Sequence, residues 1–79
     1  MSNLELYNQV FADIFALNSS EVNESISRES LEVWDSLHQF SLISAIEETF
    51  FVILSPDDIL EFNSYNSGMN ILIRNGIDL

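Results

Sequence analysis

The sequence predicts an all-α fold, a small bundle of three longer helices and one short one, with a long first loop. Three observations lead there. Apolar residues recur at helical spacing in three stretches, and a serine or aspartate stands ahead of each helix start. The longest apolar run, Phe50-Phe51-Val52-Ile53-Leu54, finds no second stretch that would pair with it as a strand.

The first helix is expected from Asn3 to Phe15. Ser2 and Glu5 form a capping-box pattern, and Leu4, Tyr7, Val10, Phe11, Ile14 and Phe15 follow on one face, with Leu6 at its edge. From Leu17 to Val33 the periodicity fades into a serine- and asparagine-rich loop. Val22, Ile26, Leu31 and Val33 would pin it to the core, and Ser27 would cap a single turn at Arg28 to Leu31.

Asp35 caps the second helix, whose stripe reads Leu37, Phe40, Ile43, Ile46 and Phe50, widened by Leu42 and Ala45. His38, Gln39, Ser41, Ser44, Glu47 and Glu48 form its polar face. Phe51 to Ser55 reads as an extended connector packed across the bundle. Ser55 and Pro56 then start a short helix with Asp57 and Asp58 in its first turn and Ile59, Leu60 and Phe62 on its buried side. Ser64 caps a last helix from Tyr65 to Arg74, with Met69, Leu72 and Ile73 inward and Gly76 as its stop. Gly68 opposes that helix by about 1 kcal/mol relative to alanine.

Seventy-nine residues, 47% of them hydrophobic, suit one domain spanning 1–79 with one core. There is no cysteine, so neither disulfides nor thiolate metal sites are available, and the single His38 makes no metal site alone. Thirteen acidic residues against Arg28 and Arg74 give a net charge of −11. Such a field repels nucleic-acid phosphates and attracts basic protein surfaces. With neither a signal-peptide pattern nor a membrane-length apolar run, a soluble, cytoplasmic monomer is the expectation.

The residues that could carry chemistry gather at Trp34-Asp35-Ser36-Leu37. Ser36 stands at the first position of the second helix, at the positive end of its dipole. As a catalytic nucleophile it lacks a base: His38 is two positions on, roughly 200° around the helix. No glycine-rich oxyanion turn accompanies it. Hydrolysis is therefore excluded as a reading, and modification of Ser36 stands against plain helix initiation.

Trp34-Asp35-Ser36-Leu37, Ala45-Ile46-Glu47-Glu48-Thr49-Phe50 and Leu54-Ser55-Pro56-Asp57-Asp58-Ile59, at their joint spacing, resemble the acyl carrier proteins. The likeness extends over nearly the whole chain. It implies a non-enzymatic carrier in which Ser36 receives 4′-phosphopantetheine from coenzyme A, the arm's thiol carrying acyl intermediates of fatty acid, polyketide or specialised lipid synthesis. It implies that Asp35 helps present Ser36 to a phosphopantetheinyl transferase. Leu37, Glu47 and Glu48 would meet partner enzymes that transfer or condense acyl groups and carry basic docking patches. Phe40, Ala45, Ile46, Ile59, Leu60 and Phe62 would line the interior where an acyl chain shelters, each with core packing as its competing role.

The chain departs from that pattern at Ser41 and Ser44, where such carriers often have an acidic and an apolar residue. Bulky Phe40 would narrow the cavity, and Phe51 and Ile53 imply either a fuller core or an exposed apolar patch. Two alternatives stand beside acyl carriage: an aminoacyl or peptidyl carrier, and an unmodified acidic helical module that binds a basic partner.

Overall fold

In the computed structural model, which describes residues 1–79, the order is α1 (Asn3–Phe15), a 3₁₀ turn (Ser19–Glu21), α2 (Ser36–Phe50), α3 (Pro56–Glu61) and α4 (Tyr65–Arg74). The architecture is a small helical bundle without strands. Each α-helix begins where a side chain takes over a backbone donor. Ser2 Oγ accepts from Glu5 N–H at 3.1 Å while Ser2 N–H donates to Glu5 Oε1 at 3.2 Å. Asp35 Oδ1 accepts from His38 N–H at 2.9 Å, Ser55 Oγ from Asp58 N–H at 3.1 Å, and Ser64 Oγ from Ser67 N–H at 3.0 Å. These bonds satisfy donors that a helix start cannot pair internally.

α1 buries Tyr7, Val10, Phe11 and Phe15 and ends at Ala16, whose φ of 53° turns the chain away. The loop behind it opens with a 3₁₀ turn at Ser19–Glu21 that no apolar periodicity marks in the sequence, and Asn18 N–H donates to Glu21 Oε1 at 2.9 Å. The turn expected after Ser27 forms, with Leu31 N–H on Ser27 O at 3.0 Å and Ser30 N–H on Ser27 Oγ at 3.1 Å. Ile26 and Trp34 anchor the loop in the core, whereas Val33 is about half exposed rather than an anchor. Arg28 N–H to Asn63 O (2.8 Å) and Tyr65 N–H to Ile26 O (2.9 Å) stitch the loop to the α3–α4 junction. The middle of the loop is thereby held eight residues ahead of α2.

The buried face of α2 is Leu42, Ile43, Ile46 and Phe50. Leu37 and Phe40, expected on the same stripe, are 77% and 74% exposed. The reason is geometric: a spacing of three residues falls short of a 3.6-residue turn, so the i, i+3, i+6, i+9 series drifts about 60° per step. Its N-terminal members rotate out of the core, and Trp34, just before the helix, fills the space.

Three further expectations are corrected. The connector after α2 is packed at Val52 and Leu54 only, with Phe51 and Ile53 facing outward. In α3, Leu60 is 80% exposed; six residues make fewer than two turns, and the helix packs through half-buried Ile59 and the fully buried Phe62 that follows it. On α4 the inward face is Tyr65, Gly68, Ile71 and Leu72, while Ile73 lies outside that arc and is exposed.

The core is dominated by aromatic rings. Phe11 lies at its centre, with ring centroids 5.1 Å from Tyr7, 5.4 Å from Tyr65, 5.8 Å from Phe15, 6.0 Å from Trp34 and 6.4 Å from Phe62. Tyr7 donates its buried hydroxyl to Tyr65 O at 2.7 Å, and burial pushes its phenol pKa well up. Gly68 is the close-approach point of α4: a Cβ there would stand 2.3 Å from Tyr7 Oη and 2.4 Å from Phe62 Cζ. Both neighbours are fully buried and cannot withdraw. Gly68→Ala is therefore expected to lower stability by up to about 2 kcal/mol in urea unfolding, because overpacking at about 1–3 kcal/mol opposes a gain in helix propensity of about 1 kcal/mol. A raised urea midpoint would contradict this packing.

Candidate functional site

The first turn of α2 is held by four side chains, Trp34, Asp35, His38 and Gln39, that the sequence places within six residues. Asp35 Oδ1 accepts from His38 N–H and lies 2.8 Å from His38 Nδ1, and these two contacts hold the Asp35 carboxyl below the usual aspartate range. The His38 ring stacks on Phe15 of α1 at 5.8 Å with an interplanar angle of 12°. On the other side Trp34, nearly fully buried, donates its indole N–H to Gln39 Oε1 at 2.6 Å.

Gln39 completes the clasp. Its Nε2 donates to Ile59 O at 3.1 Å and Phe62 O at 3.0 Å, at the C-terminal end of α3, where Ile59 O otherwise accepts only a 3.3 Å bond from Phe62 N–H and Phe62 O has no backbone donor. One amide thus ties the segment before α2, the first turn of α2 and the end of α3. Gln39→Leu should cost about 2 kcal/mol, because the buried indole N–H of Trp34 loses its acceptor. Urea unfolding followed through Trp34, the only tryptophan, measures it.

Ser36 sits inside this clasp but is not part of it. It is exposed, and the hydrogen bonds around it engage Trp34, Asp35, His38 and Gln39 and leave its hydroxyl free. The N–H groups of Ser36 and Leu37 likewise have no backbone acceptor, as expected at a helix start. A groove of about 330 Å³ opens beside Ser36 and runs along α2 under α3, lined by Ser36, Gln39, Phe40, Ile43, Ser44, Glu47 and Ile59. Its walls are apolar at Phe40, Ile43 and Ile59 and polar at both ends.

The structure brings together some of the residues singled out in the sequence and separates others. Ser36, Phe40, Glu47 and Ile59 share the groove. Phe40 is a largely exposed outer wall rather than an interior residue, and Leu60 points to solvent. Ile46 and Phe62 are fully buried in the aromatic core, and Ala45 is half-buried against it; none of the three lines the groove. Leu37 borders a separate hollow with Asp13, Ile14, His38 and Ser41, so Ser36 and His38 face different concavities. Glu48 is exposed, whereas Glu47 spends Oε2 on the N–H of Leu54 at 2.9 Å and holds the connector in place.

Gln39, Ile43 and Ser44 are groove residues that reading the sequence as a polar face and a core stripe did not reveal. The signal was present as spacing: positions 36, 40, 43 or 44, and 47 fall on one side of a helix. Of the other surface hollows, the one at the Ser27–Ser64 bridge has no apolar residue in its lining, and the one at Met1–Ser19 mixes Met1 and Ala12 with Glu5, Asn8, Gln9 and Ser19. No helix is long and apolar enough to cross a membrane. Comparison with known proteins found no matching family model, no matching curated protein and no matching solved structure.

Proposed function

We propose that the chain is an acyl carrier whose Ser36 bears 4′-phosphopantetheine. The observation that carries this reading is the coincidence of an exposed, unbonded Ser36 hydroxyl at a helix N-terminus with the mouth of a part-apolar groove. Residues present fit the group. The unpaired N–H groups of Ser36 and Leu37 and the α2 dipole favour an anion on Ser36 Oγ. Once attached, the arm supplies the thiol that a chain without cysteine lacks and that holds the cargo as a thioester.

The chain's own residues supply orientation and shelter. Asp35, His38 and Gln39 fix the turn that displays Ser36, so that a phosphopantetheinyl transferase meets a preformed helix start. Phe40, Ile43 and Ile59 offer an apolar wall, which favours an acyl cargo over an aminoacyl one. About 330 Å³ is at the low end of small-molecule sites, roughly 300–1,000 Å³, and suits a short chain. The net charge of −11 speeds encounter with acyl-transferring or condensing enzymes that present basic patches.

Transfer from coenzyme A by a promiscuous phosphopantetheinyl transferase, followed by intact-mass measurement, tests the reading. One phosphopantetheine per chain is expected. A mass that stays at the unmodified value under conditions that load a control carrier contradicts it.

A further inference from the structure

Phe51 and Ile53 are the most exposed large apolar side chains of the molecule, at 94% and 90%. Phe51 is also held at φ 55°, in the left-handed region that glycine or asparagine occupies far more readily at a helix end. Both solvation and backbone conformation thus disfavour this residue in the isolated chain. The segment is nonetheless firmly seated. Phe51 N–H and Val52 N–H bond to Glu47 O, Leu54 N–H bonds to Glu47 Oε2, and Val52 and Leu54 pack inward, alternating with the two outward residues.

We propose that Phe51 and Ile53 form a preorganised docking knob for a partner protein whose apolar pocket is edged by lysine or arginine. Charge selects this occupant. Glu47, Glu48 and Asp57 flank the pair along the chain, and none has a cationic partner, since Arg74 is the only arginine in an ion pair and it engages Asp58 and Glu61. A second copy would set like-charged rims together on chains of net charge −11, and an anionic lipid surface would be repelled. The knob stands at the opposite end of α2 from Ser36, roughly 20 Å away along the helix. A partner can therefore grip it with Ser36 itself uncovered. The docking knob does not depend on the carrier reading and would stand if Ser36 proved unmodified.

A short amphipathic helical peptide of leucine and lysine serves as the probe for the partner's surface, with a leucine–glutamate peptide as control. Titrated into the full chain and followed by backbone amide NMR, the lysine peptide should bind saturably, with the largest shifts at residues 51–54. The double variant Phe51→Asn/Ile53→Ser should weaken it at least about tenfold, as loss of a central apolar anchor does. Glu48→Gln/Asp57→Asn should weaken it too and flatten its salt dependence. The double variant should melt at the same temperature as the parent or higher, since neither side chain is buried and asparagine suits the left-handed turn. Equal peptide affinity for parent and double variant overturns the proposal, because charge alone would then account for binding. So does a lowered melting temperature, which would make the pair structural. Self-association, or adsorption to phosphatidylcholine vesicles, that disappears in the double variant would assign the knob to another occupant and equally overturn it.

Discussion

Phe11→Ala should lower stability by about 3–5 kcal/mol, the range for truncating a fully buried aromatic side chain. Phe11 has no exposed surface and contacts five other rings from α1, the Trp34 loop, the residue after α3 and α4. No neighbour can collapse into the space without leaving another, since each ring is itself fixed. The Tyr7 and Trp34 polar ends are already committed to Tyr65 O and Gln39 Oε1. A domain of this size has roughly 4–12 kcal/mol in total, so the variant loses about a quarter of its stability at the least. Its melting temperature should fall by about 12 °C or more. Circular dichroism and Trp34 fluorescence should report the same transition. A loss below about 1 kcal/mol would mean that the five rings do not converge on Phe11.

The helix boundaries were legible because caps are local chemistry. Ser2 with Glu5, Asp35, Ser55 ahead of Pro56, and Ser64 each bond a backbone donor three residues on, so the starts of all four helices stand in the sequence. Which side of each helix faces inward was less legible where the apolar spacing was not helical. The three-residue series from Leu37 drifts off the core, and six residues of α3 do not define a face, which is why Leu37, Phe40 and Leu60 emerge exposed. Gly68 illustrates a tertiary requirement overriding propensity: it weakens α4 locally and is required by Tyr7 and Phe62.

The candidate site divides in the same way. Asp35 and Ser36 are read from the helix start itself. Gln39 could not be, because its two carbonyl partners lie 20 and 23 residues further along the chain and meet it only when α3 folds back over α2. Glu47 carries a double meaning that sequence shows only as charge: it closes the far end of the groove and secures the segment that displays Phe51 and Ile53.

Ser36→Ala carries the other large expected effect, a complete loss of phosphopantetheine acceptance with the fold intact. The hydroxyl makes no internal hydrogen bond, the side chain is exposed, and the cap belongs to Asp35. Alanine is also a good helix former at that position. The variant should therefore unfold at a urea concentration close to that of the parent, which separates lost chemistry from lost structure.

Intact-mass measurement of the parent chain and Ser36→Ala side by side, after incubation with coenzyme A and a promiscuous phosphopantetheinyl transferase, puts the central proposal to its most direct trial. The expected outcome is one phosphopantetheine on every parent chain and none on Ser36→Ala. An unmodified parent, or a Ser36→Ala chain that still gains the arm, would contradict it.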